Sequence, residues 1–275
     1  MTAGRSNFDA MVAKWNTDGY LVLPGFFDNK RIARVNDLVD ELWDSRAAKP
    51  NQLIIDTFLG TPETRRTRFS TVPDQVRESP YKLNDLYLDY EDVRQVVLDK
   101  ELAKIVGLLL GGKALVFNTL NFEFGSGQDD HVDTFYMPPK QANRMLASWM
   151  ALENISPDSG PLRYYPGSHL IPPYLFSNGK TNVIGAELPA FYSYMKLELE
   201  KRGIEPVSFL AGRGDVFIWH AQLFHGGTPI IDPQQTRRSL VTHYYRTAEY
   251  RHLFWRLKKV NEHGYYYRRP HQTPH

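Results

Sequence analysis

Two histidines and an aspartate, far apart in the chain, have the residue types of a metal site. His131-Val132-Asp133 places an imidazole and a carboxylate two residues apart. Side chains two apart in an extended strand point to the same face, so both can reach one ion. A histidine from a distant strand would complete a two-His, one-carboxylate set, which is typical of non-haem Fe(II) oxygenases and leaves adjacent coordination positions open. An H-x-D triplet alone is a common coincidence, so the interpretation depends on the third ligand.

The third ligand has three candidates in the sequence: His220, His225 and His243. His220 and His225 are an odd number of residues apart, so on one extended strand they would face opposite ways. His220 follows an alternating apolar run and is equally consistent with a hydrogen-bonded wall histidine. His225 precedes Gly226-Gly227, where a turn lets the backbone approach a ligand, and we therefore expect His225 to be the third ligand.

Helices are predicted in the first part of the chain and strands in the second. Apolar residues recur at helical spacing early in the chain and again over Val93–Leu110, which ends at two glycines. From Ala114 the period changes to two, and short strands are then predicted at Met145–Leu152, Pro206–Leu210, Asp215–His220 and Ser239–Arg246. Because no regular strand–helix alternation accompanies them, the pattern indicates an antiparallel β-sandwich or barrel preceded by helices.

We expect one domain over residues 1–275, built from consecutive parts. These are a largely helical N-terminal part (1–112), a β core (113–246) with an insertion (171–205), and a basic aromatic C-terminal segment (247–275). Within the first part, residues 51–90 are weakly periodic and charged, which is typical of a loop. One helix is predicted inside the insertion, at Phe191–Arg202, and inserted segments of this length are usually functional loops or lids.

The composition excludes several classes of protein. The 275 residues carry a formal net charge of only +2 and contain no cysteine. Without cysteine there are no disulfides, thiolate zinc sites, iron–sulfur clusters or cysteine nucleophiles. No apolar run approaches the roughly 18–20 residues of a membrane span. The N-terminus also lacks the apolar stretch of a signal peptide, so we expect a cytoplasmic protein.

Positive charge is concentrated near the C-terminus. Residues 237–275 contain nine Lys/Arg and two Asp/Glu, interleaved with aromatic side chains. Such a pattern can bind single-stranded nucleic acid, and a nucleic-acid-associated protein is one alternative interpretation. No RNA-binding signature accompanies it, so we favour an amphipathic C-terminal helix with a solvated end and do not expect nucleic acid as a partner.

Several short motifs, in a shared order and spacing, resemble the phytanoyl-CoA dioxygenase family of Fe(II)/2-oxoglutarate-dependent oxygenases. The resemblance covers roughly residues 15 to 246. Its motifs are Asp18–Phe26, His131-Val132-Asp133, Trp149–Asn154, Gly160-Pro161-Leu162, Pro166-Gly167-Ser168-His169, Gly214-Asp215-Val216, His225-Gly226 and Arg238-Ser239. It implies a double-stranded β-helix, a cupin-like jelly roll with flanking N-terminal and C-terminal helices, in agreement with the strand pattern.

The resemblance also implies roles for individual residues. His131, Asp133 and His225 correspond to the iron ligands, and Arg238 to the arginine that pairs with the distal carboxylate of 2-oxoglutarate. A guanidinium fork suits that carboxylate because it binds both oxygens and stays charged. Arg237 is assigned to the opposite strand face, although the reverse assignment stays open. Further expected contacts to the cofactor come from three residues, Asn118, Trp149 and Thr228, where Thr228 lies one position later than the family's usual hydroxylated residue.

The implied reaction is hydroxylation of an unactivated C–H bond of a small-molecule substrate, using dioxygen and releasing succinate and CO2. Because related halogenases lack the carboxylate ligand, Asp133 favours hydroxylation or another oxidation over halogenation. We expect substrate contacts from Tyr136, from Arg163, and from the segments 52–90 and 171–205. The alternative is a non-redox, cupin-like metal-binding isomerase or binding module.

Overall fold

The computed structural model describes residues 2–48, 52–141 and 143–274. Its helices are α1 (Thr2–Asp18), α2 (Asn29–Ser45), α3 (Glu91–Val97), α4 (Lys100–Leu110) and α5 (Leu188–Arg202). Its strands are β1 (Tyr20–Leu23), β2 (Ile54–Thr57), β3 (Arg65–Arg68), β4 (Tyr81–Asn84), β5 (Ala114–Phe122), β6 (Met145–Ala151), β7 (Leu162–Tyr164), β8 (Val207–Phe209), β9 (Val216–His220), β10 (His225–Gly227), β11 (Ser239–Arg246), β12 (Leu257–Lys259) and β13 (Gly264–Tyr267). None of the described helices is long and apolar enough to cross a membrane.

Helix boundaries follow local capping chemistry. The side chain of Asp28 accepts a hydrogen bond from the backbone N–H of Arg31 and so caps the start of α2. Asp99 caps α4 in the same way, and Gly111 ends that helix in a left-handed conformation at φ 67°. α5 begins at Leu188, three residues before the predicted start, with a proline in its first turn.

Ten strands form a large, mostly antiparallel sheet, and three form a smaller one. The central order of the large sheet is β1-β9-β6-β11-β5-β4-β2-β3, and β13 joins β5 in parallel. The small sheet has the order β10-β7-β8. The mainly β, jelly-roll fold with flanking helices is therefore confirmed.

The large sheet is covered on both faces, which explains why its central strands are almost entirely buried. One face packs on α2, α3 and α4 through a large apolar core that includes Ile32, Val35, Leu102 and Leu240. The other face packs on the small sheet through a second cluster that includes Phe122, Trp149 and Phe217. The functional cavity lies on this second face.

Two segments differ from the sequence-based expectation. Residues 51–90, predicted as a loop, contribute β2, β3 and β4 to the edge of the large sheet. The C-terminal segment forms two short 3-10 stretches within Thr247–Arg256, separated by a kink at Leu253, and then the β12–β13 pair, instead of an amphipathic α-helix with a solvated end. In each segment one strand, β4 or β13, pairs with the distant strand β5, and local periodicity does not report such a pairing.

Candidate metal centre

The backbone brings His131 and His225 side by side. Their main chains form an antiparallel bridge, with N–O distances of 2.8 Å from His131 to His225 and 3.0 Å in the reverse direction. Asp133 follows two residues later as the first residue of a short 3-10 helix, Asp133–Phe135. The three side chains are buried, with 5–7% of each residue exposed.

The orientation of both imidazoles is set by backbone carbonyls. Nδ1 of His131 lies 2.8 Å from the carbonyl oxygen of Asp129, and Nδ1 of His225 lies 2.9 Å from that of Leu223. A carbonyl only accepts, so Nδ1 carries the proton in each ring and Nε2 is left as an acceptor. The Nε2 atoms lie 3.9 and 3.7 Å from Oδ1 of Asp133.

The three ligand atoms could hold one metal ion, because all lie within 4.8 Å of one another. Nε1 of Trp219 donates a 2.9 Å hydrogen bond to Oδ2 of Asp133, which fixes the carboxylate and leaves Oδ1 toward the histidines. Two imidazoles that present Nε2 and one carboxylate, each held by an outer hydrogen bond, are a donor set that suits Fe(II) and similar divalent ions.

The protonation states of His131 and Asp133 favour the binding of a cation. Burial, followed by the charge of His225, lowers the pKa of His131 to about 3. Burial by itself would raise the pKa of Asp133, but the charge of His225 and the hydrogen bond and charge of His243 hold that pKa below its usual range. At neutral pH the site therefore presents a carboxylate and a neutral His131.

His243 is the fourth titratable group at this centre. Its Nε2 lies 3.7 Å from Oδ1 of Asp133, and its Nδ1 lies 3.0 Å from Oδ1 of Asn118. Nδ2 of Asn118 donates in turn to Asp85 at 2.9 Å. The amide of Asn118 lines the cavity as expected, and the structure also gives it this connecting position between a buried carboxylate and the metal centre.

His220 was the alternative candidate for the third metal ligand. It lies outside the group formed by His131, Asp133 and His225. Its Nε2 is 3.1 Å from Oδ1 of Asn143, and its Nδ1 accepts from the backbone N–H of Gln222. Burial, with a smaller contribution from His169, lowers its pKa to about 4. It is a buried, hydrogen-bonded histidine at the end of β9.

A cavity of about 620 Å³ opens from the metal centre. Its apolar wall comes from both sheets and includes Leu120, Phe122, Trp149, Leu162 and Val241. Trp149 lies in this wall as predicted, and its Nε1 has no hydrogen-bond partner among the described residues. Tyr136 also lines the cavity and is 59% exposed, which places it at the rim.

The expectation that Arg238 reaches the cavity is wrong. Its guanidinium points to the helix-covered face, where it hydrogen-bonds Asp40 and Glu123. Arg237 lines the cavity instead, together with Val241. Side chains alternate along an extended chain, so Arg237 shares the cavity face with Val241 and His243, whereas Arg238 shares the opposite face with Leu240.

Arg237 is buried, and none of the described carboxylates compensates its charge. It is 3% exposed, its Nη1 donates to the carbonyl of Gly160 at 2.8 Å, and its Nε has no partner within the described part of the chain. Burial lowers its pKa to about 10. A buried guanidinium with spare donors suits an anionic ligand, because an unpaired buried charge is costly.

Two other expected contacts do not line this cavity. Arg163 pairs with Asp130, with Nη2 2.8 Å from Oδ2, and so ties β7 to the loop before the metal motif. The hydroxyl of Thr228 donates to the carbonyl of Pro161 at 3.1 Å. Both side chains have partners within the protein, and contact of either residue with a ligand stays a prediction.

The two segments that were expected to contact the substrate, 52–90 and 171–205, lie in different parts of the structure. Segment 52–90 supplies the cavity residues Arg66, Lys82 and Asn84, and its contact with a substrate stays a prediction. Segment 171–205 supplies none; its residues Phe191 and Met195 pack behind the metal motif against Val132 and Phe135. Arg269 and Gln272 of the C-terminal segment line the cavity and were missed, because no local pattern connects a tail to a distant sheet.

Similar folds occur in enzymes described as dependent on non-haem iron and 2-oxoglutarate. The non-heme alpha ketoglutarate dependent epimerase SnoN from nogalamycin biosynthesis is 18% identical, with a TM-score of 0.64, covering 88% of this chain and 84% of its own. The carbocyclase SnoK from the same biosynthesis is 16% identical, with a TM-score of 0.64, covering 86% of this chain and 84% of its own. These identities establish similarity of fold.

A further similar structure is EctD from S. alaskensis with 2-oxoglutarate and 5-hydroxyectoine. It is 20% identical, with a TM-score of 0.61, and the match covers 87% of this chain and 76% of that chain. A sequence search of curated proteins gives no significant match. The sequence profile described as phytanoyl-CoA dioxygenase (PhyH) matches residues 15–239, which is most of the chain. The chain therefore belongs to the phytanoyl-CoA dioxygenase family.

Proposed function

We propose that this protein is an Fe(II)/2-oxoglutarate-dependent dioxygenase that hydroxylates an unactivated C–H bond of a small-molecule substrate. One observation carries the proposal: two Nε2 atoms and one carboxylate oxygen converge in a cavity that also contains a buried, uncompensated guanidinium. Family membership supports the oxygenase over the non-redox, cupin-like alternative.

The metal ligands in this proposal are His131, Asp133 and His225. Their donor set leaves coordination positions for a chelating cosubstrate and for dioxygen. The outer hydrogen bonds from Trp219 and to two backbone carbonyls hold the ligands in place before the ion arrives.

Arg237 is the proposed partner of the distal carboxylate of 2-oxoglutarate, in place of Arg238. Its unpartnered Nε and the absence of an acidic neighbour among the described residues fit a carboxylate supplied by a ligand. Trp149, whose Nε1 is also unpartnered, lies in the same wall and supports the proposed cosubstrate pocket.

Bound Fe(II) and 2-oxoglutarate supply the oxidising chemistry: dioxygen is split between succinate and the hydroxylated product, and CO2 is released. The chain orients the cosubstrate and lines the pocket with apolar side chains. Leu120, Phe122 and Val241 exclude water from the pocket, and Arg237 holds the cosubstrate by a charge-assisted contact.

The outcome of the oxidation is the finer part of the proposal. SnoN and SnoK are described as an epimerase and a carbocyclase, so this fold also supports outcomes without a hydroxyl group in the product. The three outcomes differ in product mass. A hydroxylated product gains one oxygen atom, ring closure removes two hydrogen atoms, and epimerisation leaves the mass unchanged.

The test is anaerobic reconstitution. Addition of Fe(II) and 2-oxoglutarate to the purified protein is expected to produce a weak visible charge-transfer band, which Asp133→Ala abolishes. Oxygen then gives succinate, and mass spectrometry of a substrate found by screening reports the added oxygen. A wild-type protein that binds Fe(II) without any 2-oxoglutarate-dependent band would contradict the proposal and favour the non-redox alternative.

A further inference from the structure

We infer that Arg163 is a positioning residue of the metal centre. Its guanidinium binds the carboxylate of Asp130 across Gly226, and we call this contact the Arg163–Asp130 pair. The pair holds the chain segment of His131 against the strand of His225. The inference rests on the proposed function, because it concerns the site that the proposal assigns to Fe(II). A direct contact of Arg163 with the substrate is a different role, and it would leave the metal affinity unchanged.

The Arg163–Asp130 pair spans three adjacent chain segments. On one side of β10, Gly226 pairs with Arg163 of β7. On the other side, His225 of β10 forms the antiparallel bridge with His131. One residue along this antiparallel register, Gly226 lies opposite Asp130. Residues opposite one another in neighbouring strands point to the same face, so Asp130 and Arg163 share a face, with Gly226 between them.

Gly226 allows the pair to form because it has no side chain. A Cβ atom at this position would lie 2.4 Å from Oδ1 of Asp130, and 2.9 and 3.0 Å from the backbone nitrogen and Cα of Asp130. All three separations are shorter than an ordinary non-bonded contact, ~3.5–4.0 Å between carbon atoms. The guanidinium of Arg163 can therefore cross β10 and reach the carboxylate, over two strand spacings of about 4.8 Å each.

The carboxylate of Asp130 is bound by two side chains. Nε of Arg163 donates to Oδ1 at 3.1 Å, Nη2 lies 2.8 Å from Oδ2, and the hydroxyl of Tyr165 donates to Oδ2 at 2.8 Å. Burial and the hydrogen bond with Asp130 raise the pKa of Tyr165 to about 12, so this hydroxyl keeps its proton at neutral pH. The Asp130 side chain is 12% exposed. A two-pronged contact with a mostly buried carboxylate is stronger than an exposed ion pair, and it also fixes the direction of approach.

The segment held by the pair carries a metal ligand and the group that orients it. His131 follows Asp130 directly, and the carbonyl of Asp129 accepts from Nδ1 of His131. The bridge from this segment to His225 is isolated and does not belong to a continuous strand ladder. The Arg163–Asp130 pair adds a side-chain contact one residue from the bridge, and so fixes the spacing of the two imidazoles, whose ring centroids are 4.5 Å apart. Outer contacts that position metal ligands in this way raise metal affinity.

The experiment measures Co(II) binding, which reports on the metal centre without turnover. Co(II) suits the same imidazole and carboxylate ligands as Fe(II), and its visible absorption bands report both the affinity and the geometry around the ion. Arg163→Gln and Asp130→Ala are each expected to weaken Co(II) binding about tenfold, the loss that is typical when an outer contact of a metal ligand is removed. The double variant is expected to lose no more than either single variant, because both substitutions remove the same contact.

A matched control and a conservative variant separate positioning from a general effect on stability. Arg202 pairs with Glu198 on α5, and its side chain is 31% exposed, the same fraction as that of Arg163. Arg202→Gln is expected to keep the wild-type Co(II) affinity and spectrum. Arg163→Lys should regain part of the affinity lost in Arg163→Gln, because an ammonium keeps the charge but lacks the planar fork that binds both oxygens. Circular dichroism and thermal melting establish that each variant is folded.

Four results would count against one or the other hypothesis. Wild-type Co(II) affinity and an unchanged spectrum in Arg163→Gln overturn the inference, and if that variant loses only turnover, Arg163 contacts the substrate instead. Additive losses in the double variant also overturn it, since the two residues would then act separately. A wild-type protein that binds no Co(II) overturns the inference together with the metal centre. If Fe(II) and 2-oxoglutarate give no charge-transfer band, the proposed function fails, and the Co(II) comparison still decides the role of the pair.

Discussion

The two faces of the large sheet use the same kinds of residue in opposite ways. On the helix-covered face, Arg238 meets the carboxylates of Asp40 and Glu123. On the cavity face, the adjacent Arg237 is more deeply buried and pairs with none of the described carboxylates. Charges that are neutralised within the chain are structural, and a buried charge left without a partner marks a position prepared for a ligand.

This difference has an energetic reason. An unpaired buried charge costs several kcal/mol, so a fold tolerates it only where other contacts compensate. The helix-covered face supplies that compensation, because its apolar core extends from Trp15 to Tyr244 and includes most of the fully buried side chains. On the cavity face, packing is less complete and hydrogen-bond donors stay available to a ligand. We therefore expect substitutions on the two faces to change different observables.

The largest expected effect is on the metal centre. Asp133→Ala should lower succinate formation by at least about a thousandfold, because it removes the anionic ligand of the ion. The measurement is 2-oxoglutarate turnover with saturating Fe(II). Asp129→Ala is the control, since its exposed side chain is removed while its carbonyl still accepts from His131. Equal activity of the Asp133 variant and the control would contradict the ligand assignment.

Two neighbouring apolar residues, one on each face of the sheet, allow the contribution of each face to stability to be compared. Leu240→Ala, in the helix-covered core, should lower the free energy of unfolding by about 2–5 kcal/mol. Val241→Ala, in the cavity wall, should lower it by only about 1–2 kcal/mol, because its side chain borders space already empty of protein. Chemical denaturation measures both values. Similar losses at the two positions would contradict the comparison.

Substitution of the two arginines compares the contribution of each face to 2-oxoglutarate binding and to stability. Arg237→Gln should raise the KM for 2-oxoglutarate by about 10–100-fold, the loss of a charged hydrogen-bonding partner. Arg238→Gln should leave that KM near the wild-type value and lower the free energy of unfolding by about 1–3 kcal/mol, because Glu123 loses a partner. Steady-state kinetics and denaturation separate the two. The opposite pattern would restore the original assignment of Arg238.

Much of the helical part and the central strands could be predicted from the sequence, because their apolar residues repeat with a clear period. β11 was predicted with its observed bounds, Ser239–Arg246. The metal cluster was also predicted, from the spacing of His131 and Asp133 and the glycines after His225. Spacing in a chain predicts which face a side chain occupies, and that placed His131 and Asp133 together; His225 was chosen because of the glycines that follow it and the family resemblance.

The remaining part of the site could not be predicted for a related reason. β3 reads Arg-Arg-Thr-Arg and lacks the apolar alternation that predicts a strand. β4 alternates Tyr81 and Leu83 with the cavity-lining Lys82 and Asn84, but its four residues are too short a run to stand out within a charged segment. The position of Arg237 could have been predicted, because strand parity places it on the same sheet face as Val241 and His243. The family motif that favours Arg238 was given more weight than this parity.

The smallest predicted effect concerns pH and the buried carboxylate of Asp56 on β2. Burial by itself would raise the pKa of Asp56, but the hydrogen bond from Arg66 and the charge of Lys82 lower it below 3.8. A lowered folded-state pKa contributes stability above the unfolded-state pKa, and that contribution is lost as the pH falls through the folded-state value. Asp56→Asn should therefore be less stable than wild type at neutral pH, and the difference should shrink as the pH falls below about 3.8. Denaturation at a series of pH values measures the difference, with Asp37→Asn on the exposed side of α2 as the control. A difference that stays constant with pH would mean that the Asp56 carboxylate contributes by packing and not by its charge interactions with Arg66 and Lys82.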